Sequence, residues 1–164
     1  MKVKAFALMI GLLTMSYGGT LAYAHCEIPC GIYNDEMRFD LIKEHADTIE
    51  KSMKAIVELQ QAAKPNYNQL VRWIENKDDH ATKIQEIVSQ YFMTQRIKPT
   101  DAQYNAKIKV LHEMLILAMK CKQTTDTQNV ESLRGALKRF HMLYFGPASH
   151  SHAPKKTKTI PKKK

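Results

Sequence analysis

The chain has few of the residues that punctuate other architectures. Six glycines and six prolines in 164 residues follow no period, which excludes a collagen-like or glycine-rich repeat. Three cysteines are too few for a disulfide framework. No segment sustains the period-two alternation of half-buried strands. Only one apolar run stands out, at residues 5–15, and it is too short to span a bilayer. Acidic residues are missing from the whole C-terminal end. From Ser132 onward there is no Asp or Glu, but Arg134, Lys138, Arg139 and six lysines within 155–164. The net charge of +9 is therefore mainly a property of that end, and does not by itself make a nucleic-acid-binding domain. Against these absences stand 44% apolar residues and a length suited to one domain.

The start of the chain reads as an export signal. Lys2 and Lys4 precede the apolar run, and Ala22-Tyr23-Ala24 places small residues at the −3 and −1 positions of a cleavage site. Residues 1–24 are thus expected to be a cleaved signal peptide, removed by signal peptidase, with the product periplasmic or secreted. Cys26 follows His25 rather than Gly or Ala, which argues against lipidation. Cleavage after Ala24 makes His25 the new N-terminus.

The remainder predicts an all-α protein, an antiparallel four-helix bundle over 35–147 with a disordered basic tail at 148–164. The first helix, about 35–62, carries Ile42, His45, Ile49, Met53, Ile56 and Gln60 at 3–4 spacing, and Lys64-Pro65 stops it. The second, about 67–93, aligns Leu70, Trp73, Ile74, Ala81, Ile84, Val88 and Tyr91. The third, capped by Thr100 or Asp101, has the stripe Tyr104, Ile108, Leu111, Leu115, Ala118 and Cys121. The fourth follows Thr125-Asp126-Thr127, with Val130, Leu133, Leu137, Phe140 and Tyr144, and ends at Gly146-Pro147. Met53, Met114 and Cys121 read as core. His45, His80, His112 and His141 are scattered, and neither H-E-x-x-H nor paired Glu-x-x-His occurs, so a zinc protease or di-iron site has no support.

The chemistry is concentrated in His25-Cys26-Glu27-Ile28-Pro29-Cys30-Gly31-Ile32-Tyr33. With His25 terminal, its amine becomes a nitrogen ligand; a free α-amine ordinarily titrates at about 7.7–8.0, which a metal can overcome. The amine and the Cys26 amide nitrogen close one five-membered chelate ring, and that nitrogen and the Cys26 thiolate close another. Fused rings favour a plane. Cys30 can complete it if the chain turns back, and Pro29 with Gly31 suits the turn. The His25 imidazole then lies above the plane as an axial ligand. Square-planar nitrogen and sulfur coordination points to Ni(II) or Cu(II) rather than tetrahedral zinc. Such strongly donating ligands stabilise the higher oxidation state and suit one-electron redox rather than hydrolysis.

The run H-C-E-I-P-C-G-I-Y resembles the N-terminal hook of the nickel-containing superoxide dismutases, H-C-x-x-P-C-G-x-Y, at all six fixed positions and starting at the expected cleavage point. The resemblance implies a metal-binding hook at 25–34 that holds one nickel per subunit. Its ligands are the amine and imidazole of His25, the amide and thiolate of Cys26, and the thiolate of Cys30. It implies disproportionation of superoxide to O₂ and H₂O₂ through Ni(III)/Ni(II) cycling, in a four-helix bundle that assembles as a homohexamer. Tyr33 matches the hook tyrosine. Tyr91-Phe92 resembles the Tyr-Phe pair that supplies a second active-site tyrosine, although Met93 stands where the family commonly has Lys. For the early carboxylate that helps hold the axial imidazole, Asp40 is the candidate; the companion arginine stays open, with Arg72 one candidate.

Other readings make different predictions. Cys26 and Cys30 alone would equally suit a short-loop disulfide in an oxidising compartment. An exported, non-enzymatic nickel or copper carrier would bind metal without turnover. A helical scaffold working through its basic tail would need residues 155–164 and not Cys26. The tail itself suits nonspecific contact with anionic envelope surfaces, not a specific nucleic-acid site.

Overall fold

The structure is a computed structural model and describes residues 35–146. The expected signal peptide, the hook residues His25, Cys26, Cys30 and Tyr33, and the basic tail lie outside the described residues. Helix α1 spans Glu36–Gln61 and α2 spans Tyr67–Glu86. A π-helix, Ile87–Arg96, continues α2 without a break. Helices α3, Tyr104–Gln123, and α4, Gln128–Phe145, complete the fold, and no strand occurs among the described residues.

Each helix buries one stripe and leaves the other face wet. In α1 the buried residues are Phe39, Ile42, Ala46, Ile49, Ser52, Met53 and Ile56. They meet Ala81, Ile84, Val88 and Phe92 from the second helix, Leu111, Met114, Ala118 and Cys121 from α3, and Leu133, Ala136 and Phe140 from α4. Met53, Met114 and Cys121 are fully buried, as their spacing predicts. Phe39, at the start of α1, stacks on Phe140 near the end of α4 (centroids 5.2 Å) and meets Phe92 of the π-helix edge-on at 5.0 Å. Helix α1 therefore runs antiparallel to both neighbours. With short links between successive helices, this is the expected antiparallel four-helix bundle.

The two buried polar residues, Ser52 and Lys77, have partners. Ser52 donates to the carbonyl of Thr48 at 2.9 Å and accepts from Asn76 at 2.9 Å. The Lys77 ammonium is buried and donates to the carbonyls of Cys121 and Lys122, at 2.8 and 2.6 Å. Those carbonyls belong to the last turn of α3, where a helix leaves acceptors open and presents its negative dipole end.

Three local details depart from the sequence expectation. The second helix does not stay α-helical to about 93 but widens at Ile87 and runs on to Arg96. Neither Thr100 nor Asp101 caps α3. Gln103 takes the N-cap position with φ 61°, and the Asp101 carboxylate instead accepts from the Lys98 amide at 3.1 Å. The first part of the second helix's stripe is not buried. Leu70 and Trp73 are half-buried and Ile74 is 38% exposed, because Lys77 meets α3 at its last turn and the α1–α2 hairpin extends past that level.

Candidate active site

The chemistry-bearing cluster of the described residues lies at the end of the bundle where the chain enters from the hook. Asp35 precedes α1 directly, and its side chain is only 13% exposed. One carboxylate oxygen accepts from the Tyr91 hydroxyl. The other accepts from the Arg96 guanidinium at 2.5 Å and from the Tyr144 hydroxyl at 2.8 Å. Arg96 Nε also donates to the Tyr144 oxygen at 3.2 Å. Three elements (the start of α1, the π-helix and the end of α4) thus converge on one carboxylate.

The π-helix makes this convergence possible. Tyr91 and Arg96 are five residues apart. In an α-helix that spacing rotates two side chains about 140° from each other. In a helix bonded i to i+5, residues five apart lie on the same face. The wide bonding is visible where Thr94 Oγ1 donates to the Ser89 carbonyl at 2.8 Å and the Ile97 amide to the Phe92 carbonyl at 2.9 Å.

The electrostatics follow from the contacts. Burial alone would raise the Asp35 pKa, but hydrogen bonds from Tyr91, Tyr144 and Arg96, with the Arg96 charge, outweigh it and hold the carboxyl below its ordinary value. Burial, then the hydrogen bond to Asp35, push Tyr91 up to about 12. Burial is also the main cause that raises Tyr144 to about 12. Both phenols stay protonated across the physiological range and act as donors, not bases. Arg38 lies over the Tyr91 ring at 5.0 Å and Arg96 at 5.9 Å, while Lys107 lies over the Tyr144 ring at 5.8 Å. Cations therefore surround the two tyrosines.

Of the residues expected from the sequence, Tyr91 is in this cluster and is 3% exposed. Tyr33 and the metal ligands His25, Cys26 and Cys30 lie outside the described residues. Asp40 is exposed on α1, and the carboxylate that touches Tyr91 is Asp35. Arg72 is exposed near the far end of α2, lining a surface cavity with Thr48, Trp73 and Asn76. Thr48 is eight residues along α1 from Asp40, on the order of 12 Å, so these two side chains do not meet within the chain. Met93, in the position of the family lysine, is half-buried and packs on the core. The sequence reading missed Asp35, Arg96 and Tyr144. Asp35 was legible only as a helix start and Tyr144 only as part of an apolar stripe. The i, i+5 pairing of Arg96 with Tyr91 has no signal in α-helical periodicity.

Among the described residues, no group of three or more His, Cys, Asp or Glu side chains is gathered to hold a metal, and no helix is long and apolar enough to cross a membrane. The donors that the sequence offers to nickel are His25, Cys26 and Cys30, whose nitrogen and sulfur match the preference of the ion. At the residue that follows the hook sequence, the bundle gathers two protonated phenols and several cations. The sequence profile of the nickel-containing superoxide dismutases matches residues 20–147, which covers the hook and all four helices, and the chain belongs to that family. It is accordingly a nickel-dependent superoxide dismutase. No curated protein and no solved structure matches the chain.

Proposed function

We propose that superoxide is disproportionated at the hook, 2 O₂⁻ + 2 H⁺ → O₂ + H₂O₂, with the His25 amine and imidazole, the Cys26 amide and thiolate, and the Cys30 thiolate as nickel ligands. The family match that includes these residues is the observation that carries the reading. Bound there, nickel supplies a one-electron Ni(III)/Ni(II) couple.

The chain's own residues act around it. Tyr33 and Tyr91 would stand beside the hook: Tyr33 can donate to water or to the incoming anion, while Tyr91, whose single proton goes to Asp35, offers its oxygen as an acceptor to water. The Tyr91 hydroxyl is aimed by Asp35, which Arg96 and Tyr144 hold in turn. Burial and Asp35 keep both phenols of this cluster neutral at physiological pH. Arg38 and Arg96 supply the positive approach that Met93 does not. Asp40 remains the carboxylate that the family resemblance would offer to the His25 imidazole.

Signal peptidase exposes His25 during export, so that the mature enzyme is periplasmic or secreted. It assembles as a homohexamer, and the lysine tail contacts anionic envelope surfaces. Replacing Cys26 or Cys30 by Ser removes both bound nickel and turnover. Full turnover in both variants would refute the assignment. Adding one residue before His25 is nearly as damaging, because the amine becomes an amide.

A further inference from the structure

The histidines that look scattered in sequence include a pair that the fold brings together. His45 of α1 and His80 of α2 face each other with Nδ1 atoms 3.0 Å apart and rings at 80°. Both are half-buried on rigid helices that pack closely along their length. Ala46 and Ala81 follow them directly and are buried, which lets the two helix backbones approach. An ion with bonds of about 2.0–2.1 Å places two ligand nitrogens about 2.9 Å apart at a right angle and about 3.3 Å apart at the tetrahedral angle. The observed 3.0 Å matches the span of the right angle and is also that of an N–H···N hydrogen bond, so binding an ion would exchange that bond for two ligand bonds.

We propose that His45 and His80 form an accessory metal site for a divalent transition ion of right-angle geometry, Cu(II) or Ni(II), with water in the remaining positions. The site is separate from the hook and stands whether or not the hook chemistry is as proposed above. Two imidazoles make an exchangeable site rather than a permanent one.

The surroundings bear on its strength. Burial first, then mutual repulsion and Lys83, lower the His45 pKa, and burial and Lys83 lower that of His80. Both rings therefore reach the neutral, ligating form readily. Glu44 acts on both rings and Asp79 on His80 with the opposite sign. Lys83, exposed on α2, opposes a cation.

The test uses the full mature chain with Cys26→Ser and Cys30→Ser, so that the hook thiolates do not compete. Cu(II) is added from a glycine buffer and binding is followed by calorimetry and electron paramagnetic resonance. The expected result is one equivalent of Cu(II) above the background of the other donors, with two imidazole nitrogens in its hyperfine pattern, and this equivalent is lost in His45→Asn and in His80→Asn. The N-terminal amine, His150 and His152 contribute a background common to all variants. Because an Asn variant that unfolded would also lose the ion, Lys83→Gln provides the opposite reading. It leaves both ligands in place and tightens binding about twofold to fivefold by removing one like charge. Unchanged stoichiometry and spectrum in the two Asn variants, or no gain with Lys83→Gln, would overturn the site and leave the pair as a plain hydrogen bond.

Discussion

Replacing Asp35 by Ala tests whether the carboxylate holds the hook end of the bundle together. The Tyr91 hydroxyl belongs to a residue only 3% exposed and loses its acceptor outright. A buried donor left unsatisfied costs about 1–3 kcal/mol. Tyr144 also loses its acceptor but is only half-buried, so its hydroxyl can turn to water and its loss is smaller, about 1 kcal/mol. Arg96 is one-third exposed and rehydrates, so the broken ion pair adds little. The sum is about 2–4 kcal/mol, which for a bundle of this size lowers Tm by roughly 8–16 °C. The assay is thermal unfolding followed by the helical circular dichroism signal at neutral pH. Asp35→Asn keeps an acceptor for the phenols and should recover about half of the loss. The pH dependence gives a second reading. The folded pKa of Asp35 lies below its ordinary 3.8. Its stabilisation is therefore complete above the unfolded value and is lost as pH falls through the folded one. The gap between the wild-type protein and the Ala variant should stay constant at neutral pH and close below about pH 4. A Tm change under about 3 °C, or a gap that persists into acid, would show that Asp35 makes only a surface ion pair.

Three further outcomes test other parts of the reasoning. Arg38→Gln should lower kcat/KM about twofold to fivefold at low ionic strength, and the difference should fade as salt screens the approach of superoxide; a salt-independent loss would point to a structural defect instead. Cys121, buried and pushed up to about 11 by desolvation, should react with a thiol reagent only after unfolding, so rapid labelling of the native protein would contradict its packing. Lys77→Ala should lower the urea stability by about 2–4 kcal/mol, since the buried ammonium closes the last turn of α3; a loss below 1 kcal/mol would mean water replaces it.

The apolar spacing of α1, α3 and α4 was enough to read the helices, because a two-sided environment imprints a 3.6-residue repeat on the sequence. The core positions of Met53, Met114 and Cys121 followed from the same repeat. Tyr91 was legible only through its resemblance to a family pair. The carboxylate beside it was not, because Asp35 and Tyr144 are joined across 109 residues by a contact that no local pattern encodes. The two histidines between α1 and α2 were invisible for the same reason: facing partners on different helices leave no periodic trace. The exposure of Leu70 and Ile74 was also hidden, since an apolar stripe does not record how far the neighbouring helices reach.

The wide turn between Ile87 and Arg96 makes this end of the protein dependent on its context. A peptide copying the second helix would, by intrinsic preference, wind as an ordinary α-helix and aim Tyr91 and Arg96 in divergent directions. Their common aim belongs to the folded bundle, where Val88, Tyr91 and Phe92 are buried and Asp35 receives both side chains. The active-site edge is thus the least autonomous part of its own helix. Selection acting on Asp35 or on the end of α4 reaches the tyrosine without altering a residue near it in the chain.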